Sequence, residues 1–121
     1  TLLRTLAGLL PALAGAAFLE TADIALLSSA ARARRIAVVL TERAGSPGLT
    51  VDDVLKLGRA PFTGWDGLLS DDDDLIVADA AQACGVTGFR LRLFDALSDG
   101  ERQRVMIARA MAQTAQLMLL D

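Results

Sequence analysis

The chain of 121 residues contains no histidine, no tyrosine and a single cysteine, Cys84. Without histidine, it lacks the commonest metal ligand and the commonest general acid or base. One cysteine cannot form a disulfide within the chain. We therefore interpret Cys84 as a small apolar side chain that packs in the fold. A lone cysteine also indicates that the protein resides in a reducing compartment. No zinc-binding motif is present in the sequence.

An excess of positive charge is also missing. The chain has 12 Lys and Arg against 15 Asp and Glu, a net charge of -3, and this argues against nucleic-acid binding. The apolar segment 5–19 is interrupted by Gly8, Pro11 and Gly15, and it is shorter than the about 20 residues that a spanning helix needs. Hydrophobic residues nevertheless make up 53 %, so the chain has enough for a core. Its length indicates one domain or part of one.

The hydrophobic pattern is a mixture of helix and strand signals. Residues 36–40 form an apolar run rich in β-branched side chains, which is typical of a strand buried on both faces in a parallel sheet. Thr50 and Ser70 are predicted N-caps followed by acidic residues, and Gly58 is predicted to end the first of these helices. The remaining predictions are helices over 2–10, 30–35, 70–84 and after Ser98, strands over 16–20 and 117–121, a loop over 41–49 and irregular structure over 59–67.

Two charged clusters each have two interpretations. The acidic residues 71–74 could chelate a hard cation, but after Ser70 they also complement a helix N-terminus, which we favour. The basic residues Arg32, Arg34 and Arg35 precede the predicted strand. We interpret them as a solvated face, with phosphate binding as the alternative.

The most informative segment is 97–104, Leu-Ser-Asp-Gly-Glu-Arg-Gln-Arg. Ser98 and Glu101 have the spacing of a capping box at the start of a largely apolar helix. A helix N-terminus favours an anion such as phosphate, and Gly100 would allow close approach to the backbone. By itself, this pattern predicts an ordinary capped helix.

This octet resembles the signature motif of ABC-type ATPases, from whose commonest form Asp99 and Glu101 depart. Residues 108–112 resemble the continuation of that motif, and 117–121 resemble the Walker B strand of the family. Residues 1–11 resemble the segment immediately after its P-loop. The resemblance implies a fragment that runs from just after Walker A to the Walker B Asp.

The resemblance also implies roles for particular residues. Thr1, Ser98, Asp99, Gly100 and Glu101 would contact ATP, which lies between the P-loop of one subunit and the signature motif of the other. Asp121 would be the catalytic-site carboxylate that holds Mg²⁺, in keeping with its place at the end of a buried strand. Thr41 or Glu42 would occupy the position of the Q-loop glutamine.

Two further segments resemble a subgroup of the family. Residues 40–43 and 57–65 are similar to importers of iron complexes, haem and cobalamin. Phe62 and Trp65 lie in the second segment, where they would either close a small core or meet a partner helix.

The expected fold class is α/β, a partial P-loop NTPase fold with an incomplete parallel or mixed sheet and a helical subdomain. The expected division is a partial ATPase core lobe at 1–44, a helical subdomain with the signature motif at 45–112, and a return to the core lobe at 113–121. Strands 36–40 and 117–121 would lack neighbours and expose apolar edges.

The function implied is the ATP-binding and ATP-hydrolysing subunit of an ABC transporter that imports an iron complex, haem or cobalamin. Its partners would be a second ATPase subunit, arranged head to tail, and transmembrane permease subunits, at the cytoplasmic face of the membrane. Since the P-loop lysine and the general base are absent from these residues, we expect the chain alone to be inactive. The alternatives are a non-catalytic interaction module that docks on a membrane or ATPase partner, and an unrelated helical regulator.

Overall fold

The computed structural model describes residues 2–40 and 47–120. In this part of the chain, helices and short strands alternate, which confirms the α/β class. The helices are α1 (Leu2–Leu6), α2 (Ser29–Arg35), α3 (Val51–Lys56), α4 (Asp71–Ala83) and α5 (Asp99–Ala112). The strands are β1 (Phe18–Leu19), β2 (Ala22–Asp23), β3 (Ile36–Val39) and β4 (Leu117–Leu120). Short 3₁₀ turns cover Ile24–Leu26, Leu57–Phe62, Thr87–Phe89 and Phe94–Ala96.

Strands β3 and β4 pair in parallel, in a register that runs from Ile36 opposite Leu117 to Val39 opposite Leu120. The prediction that both strands would lack neighbours is therefore wrong, because each is the neighbour of the other, but in the described residues each pairs on one edge only, as the predicted exposed edges require. Helix α5 covers the pair, with Ala110 packed against Ala37 and Val39 in one small core. The apolar run of β3 is buried as predicted, but β4, which was also predicted to be buried, is only partly covered, since Leu117 is 39 % and Leu120 is 58 % exposed.

The main core lies among α3, α4 and α5. Its fully buried side chains include Val51, Leu55, Val77, Val86 and Val105. Helix α5 contributes to both cores, since Val105 and Ala108 face α3 and α4 while Ala110 faces β3. It is thus the element that joins the helical part of the molecule to the strand pair.

The predicted helix starts are confirmed. Thr50, Ser70 and Ser98 each form a capping box with the acidic residue three positions on. The acidic run 71–74 opens α4, as the helix interpretation predicted. Among the residues described, no group of three or more Cys, Asp or Glu side chains could hold a metal ion.

Several local predictions need correction. Helix α1 ends at Leu6 rather than at residue 10, and Gly8 follows with a φ of +76°. Gly58 does not end α3, because the chain continues directly into the 3₁₀ turn Leu57–Phe62, where irregular structure was predicted. The strand predicted over 16–20 is shortened to β1, and its hairpin partner β2 was not predicted.

Phe62 and Trp65 do not close a small core together. Trp65 is fully exposed and Phe62 is 37 % exposed.

Cys84 is half-buried, with its Sγ 3.5 Å from Sδ of Met111, and burial raises the pKa of its thiol. No helix in the described ranges is long and apolar enough to cross a membrane.

Candidate functional site

The start of α5 is built by a reciprocal capping box. The backbone N–H of Glu101 donates to Oγ of Ser98 at 3.2 Å, and the N–H of Ser98 donates to Oε1 of Glu101 at 2.9 Å. Leu97, just before the cap, is buried in the main core. The helix start is therefore fixed on one side by packing and on the other by hydrogen bonds.

The outer side of this helix start is open. Ser98, Asp99 and Gly100 are all exposed. A Cβ built on Gly100 would meet no heavy atom within 4 Å. First-turn amides have no acceptor within their own helix, and the helix dipole is positive at this end. The geometry suits the close approach of an anion to the backbone near Gly100.

Arginines partly offset the two acidic residues of the octet. Nη1 of Arg92 lies 3.5 Å from Oε2 of Glu101, and Nη1 of Arg102 lies 3.5 Å from Oδ1 of Asp99. The pKa of Glu101 is lowered, first by the hydrogen bond from the Ser98 backbone and then by that with its side chain. Glu101 is thus a charged carboxylate engaged in the cap.

The segment that leads into the octet is held against the start of α3. The N–H of Val51 donates to the carbonyl of Arg92 at 2.9 Å, and the N–H of Phe94 donates to that of Leu49 at 2.9 Å. Arg90 reinforces the contact, with its Nε donating to Oδ1 of Asp52 at 2.8 Å. Burial raises the pKa of Asp52, but hydrogen bonds from Lys56 and Arg90 outweigh it, so the net pKa is lowered.

The remaining predicted site residues, Thr1, Thr41, Glu42 and Asp121, lie outside the described residues. The structure therefore brings together only Ser98, Asp99, Gly100 and Glu101 of the predicted set. It does show where the neighbouring strands end, because Val39 of β3 pairs with Leu120 of β4.

Sequence reasoning missed a buried polar cluster at the other end of α5. Nε of Arg59 donates to Oδ1 of Asp73 at 2.8 Å, and both side chains are less than 10 % exposed. Arg59 also donates to the carbonyl of Ala112 at 2.9 Å. The pKa of Asp73 is lowered by the hydrogen bond from the Ser70 backbone and then by that from Arg59. In the sequence, Gly58 beside Arg59 is the residue that could have indicated close packing between two elements. A glycine at this position indicates the end of a helix equally well.

The comparison with known proteins covers the same residues. The family model described as ABC transporter matches residues 1–121. The chain belongs to the ABC transporter family. This confirms the resemblance drawn from the octet and from 117–121, and with it the incomplete ABC ATPase fold.

Similar proteins include ATP-binding subunits of importers. The chain is 44 % identical over 121 residues to the cobalamin import ATP-binding protein BtuD of Halobacterium salinarum, covering all of this ABC transporter chain and 30 % of the relative. It is 40 % identical over 121 residues to the hemin import ATP-binding protein HmuV of Streptomyces coelicolor, covering all of the chain and 42 % of the relative. The chain therefore spans less than half the length of these curated relatives.

A solved structure shares the fold. It is described as a metal-chelate type ABC transporter in an inward-facing conformation, and it matches with a TM-score of 0.68 at 29 % sequence identity. The match covers 72 % of this ABC transporter chain and 35 % of the solved chain. Most of this chain thus shares its fold with part of a solved ABC transporter.

Proposed function

We propose that this chain is part of the ATP-binding and ATP-hydrolysing subunit of an ABC importer. The observation that carries the proposal is the capped, exposed start of α5, which has the sequence of a signature motif in a chain matched over its whole length by the family model. Two similar proteins are named for the import of cobalamin and of hemin, and this supports cobalamin, haem or an iron complex as the transported substrate.

The octet would contact the γ-phosphate of an ATP held by a second subunit. Ser98 and the amides near Gly100 would supply hydrogen bonds, because they lie on the open side of the helix start. Asp99 and Glu101 oppose an anion by their charge, and Arg92 and Arg102 offset part of this opposition. The absence of a Cβ at Gly100 and the space around it fit a bound phosphate group.

The magnesium and Q-loop roles rest on the strand pair. Val39 and Leu120 end β3 and β4 in register, so the two parallel strands have their carboxyl ends at the same edge of the sheet. Ligands of open α/β sheets bind at the carboxyl ends of the strands. This supports Asp121 as the carboxylate that would hold Mg²⁺, and Thr41 or Glu42 at the Q-loop position. Thr1 would follow the P-loop hydroxyl of the same subunit.

The proposed division keeps the boundaries expected from sequence, with core-lobe segments at 1–44 and 113–121 and a helical subdomain at 45–112. The buried residues support this division, because one core joins α3, α4 and α5 and another joins α5 to β3.

The proposed partners are a second ATPase subunit, arranged head to tail, and transmembrane permease subunits at the cytoplasmic face of the membrane. The helical part offers an apolar surface for such a partner, since Trp65 is fully exposed, Leu68 is 72 % exposed and Leu57 is 45 % exposed. Exposed aromatic side chains of this kind frequently anchor protein interfaces.

The first test is to read the coding DNA on both sides of this segment. We expect Gly-Lys-Ser immediately before Thr1 and Glu immediately after Asp121, which would supply the P-loop and the general base. A start codon at Thr1 together with a stop codon after Asp121 would contradict the catalytic proposal and favour the interaction module, which the exposed Trp65 also suits.

The second test measures ATP hydrolysis by the protein that the complete gene encodes, with its permease. Ser98→Asp retains a cap-forming side chain but adds negative charge where the γ-phosphate would lie, so hydrolysis should fall about tenfold or more. Ser28→Asp is the matched control, because Ser28 caps α2 in the same way, with its Oγ accepting from Ala31 at 3.1 Å. Equal rates for the two variants would contradict the proposed phosphate contact.

A further inference from the structure

The last turn of α5 is held by Arg59, whose side chain is 7 % exposed. Nη1 of Arg59 donates to the carbonyl of Ala112 at 2.9 Å and to Oγ1 of Thr114 at 3.0 Å. Thr114 has a φ of 49°, a left-handed conformation that costs a threonine free energy. Helix C-termini have unsatisfied carbonyls and a negative dipole end, so a guanidinium is well suited to this place.

The same guanidinium reaches the start of α4. Its Nε donates to Oδ1 of Asp73 at 2.8 Å, while the other oxygen of Asp73 accepts from the N–H of Ser70 at 3.0 Å in the α4 capping box. The ring of Phe62 lies 4.2 Å from the centre of the Arg59 guanidinium. One arginine therefore links the negative end of α5 to the acidic group at the positive end of α4.

Two further contacts meet at this turn. Gly58 lies so close to α5 that a Cβ at this position would overlap the carbonyl oxygen of Arg109 and lie 3.1 Å from Cβ of Ala112. On another side of the helix, Nε2 of Gln113 donates to the carbonyls of Ala33 and Ile36, at the junction of α2 and β3. The last turn of α5 is thus the place where the helical part and the strand pair are fastened together.

We infer that Arg59 is a positioning residue that fixes α5 between its two functional ends. The helix begins at the Ser98 cap, and Ala115 and Gln116 alone separate Thr114 from β4, which ends next to Asp121 in sequence. Because an α-helix is a stiff element, fixing its last turn sets the direction of its first turn. The role in hydrolysis rests on the proposed function, whereas the fastening of the turn does not.

Hydrogen exchange in the full chain tests the fastening. Arg59→Met removes the hydrogen bonds to Ala112 and Thr114 and the ion pair with Asp73. The methionine retains an unbranched aliphatic chain of similar length in the same place. Backbone amides of residues 113–118 should then exchange about tenfold faster or more. Arg90→Met is the matched control, because Arg90 also pairs with an aspartate, Asp52, which belongs to α3 and pairs in turn with Lys56 of the same helix. Equal exchange at 113–118 in both variants would overturn the inference.

A milder pair of variants covers the case in which Arg59→Met does not fold. Thr114→Ala removes the hydroxyl that accepts from Arg59, Thr114→Ser retains it, and neither residue is β-branched at this positive φ. We expect faster exchange at 113–118 for Thr114→Ala than for Thr114→Ser. Equal exchange or the opposite order would show that the Arg59 contact does not hold this turn.

Kinetics of the complete ATP-hydrolysing protein test the positioning role. Arg59→Lys keeps the charge, but an ammonium group lacks the planar array of donors with which the guanidinium bonds Asp73 and Ala112 at the same time. We expect a lower kcat with KM for ATP nearly unchanged, and a larger loss of kcat for Arg59→Met. Loss of folded protein with an unchanged kcat per folded molecule would reduce Arg59 to a stabilising role. Absence of hydrolysis in the unsubstituted protein would instead contradict the proposed function. The hydrogen-exchange result would still show whether Arg59 anchors the last turn of α5.

Discussion

The side-chain amide of Gln113 donates a hydrogen bond of 3.0 Å to the backbone carbonyl of Ile36, across 77 residues of sequence. The same Nε2 also donates to the carbonyl of Ala33. These bonds join the end of the helix that carries the octet to the first residue of β3. The position of the octet relative to the strand pair therefore depends on a residue outside any recognised motif.

We expect Gln113→Ala to lower the free energy of unfolding by about 1–2 kcal/mol, because the carbonyls of Ala33 and Ile36 lose a donor in a partly buried place. Urea denaturation measures this change. Gln116→Ala is the control, since Gln116 is an exposed glutamine three residues further on, and it should change stability by less than about 0.5 kcal/mol. Equal losses for the two variants would show that the amide of Gln113 contributes nothing.

A second stability prediction concerns Gly58. A methyl group there would overlap the carbonyl oxygen of Arg109, which belongs to helix backbone and cannot move aside easily. Gly58→Ala should therefore cost about 1–3 kcal/mol in thermal or urea unfolding, as expected for overpacking. Gly88→Ala is the matched control, because a Cβ at Gly88 meets nothing within 4 Å. A neutral Gly58→Ala would mean that α5 and the 3₁₀ turn separate without cost.

The sequence predicted those features that depend on neighbouring residues. The caps at Thr50, Ser70 and Ser98 are local hydrogen-bonding patterns, and each was confirmed. The burial of β3 could likewise be predicted, because its apolar, β-branched residues are consecutive in the sequence. The octet could be recognised because its residues are consecutive.

The missed features depend on residues that are distant in sequence. Arg59 meets Asp73 at a separation of 14 residues and Ala112 at a separation of 53, and no local pattern specifies either meeting. The pairing of β3 with β4 likewise requires the helices between them to bring the strands together. Gly58 shows the ambiguity directly, because a glycine that ends a helix and one that admits a neighbouring helix look identical in sequence.

Stability should also fall in acid through two capping carboxyls. The pKa of Asp73 lies below its ordinary 3.8, through hydrogen bonds from Ser70 and Arg59, and that of Glu101 lies below 4.5, through hydrogen bonds with Ser98. A lowered folded-state pKa stabilises the fold above the unfolded-state pKa, and the contribution is lost as the pH falls through the folded-state pKa. The urea midpoint should therefore change little from pH 7 to about 5 and fall below it.

Variants of the two carboxyls check the origin of this acid dependence. Asp73→Asn and Glu101→Gln should each be less stable than the unsubstituted chain at pH 7 and lose less stability on acidification. Asp52, whose pKa is also lowered, should leave a residual slope in both variants. A slope identical to that of the unsubstituted chain would show that these carboxyls are not linked to folding.

Gly100 allows the stability of the octet to be separated from its proposed contact with phosphate. A Cβ at this position meets no heavy atom within 4 Å, and the residue lies in the first turn of α5. Gly100→Ala should leave the fold unchanged or stabilise it by up to about 1 kcal/mol, since alanine loses less conformational entropy in a helix. Its methyl group would nevertheless stand where we propose that the γ-phosphate approaches the backbone. Hydrolysis by the complete protein should therefore fall although the melting temperature does not.

Gly88→Ala again provides the control, because it adds the same methyl group at an open glycine that is not part of the octet. It should leave both the melting temperature and the rate of hydrolysis unchanged. If Gly100→Ala hydrolyses ATP as fast as Gly88→Ala, the phosphate does not approach the backbone at Gly100, and the contact must be made through Ser98 alone. If Gly100→Ala lowers the melting temperature as well as the rate, the slower hydrolysis follows from a destabilised start of α5, and the proposed contact with phosphate at Gly100 loses this support.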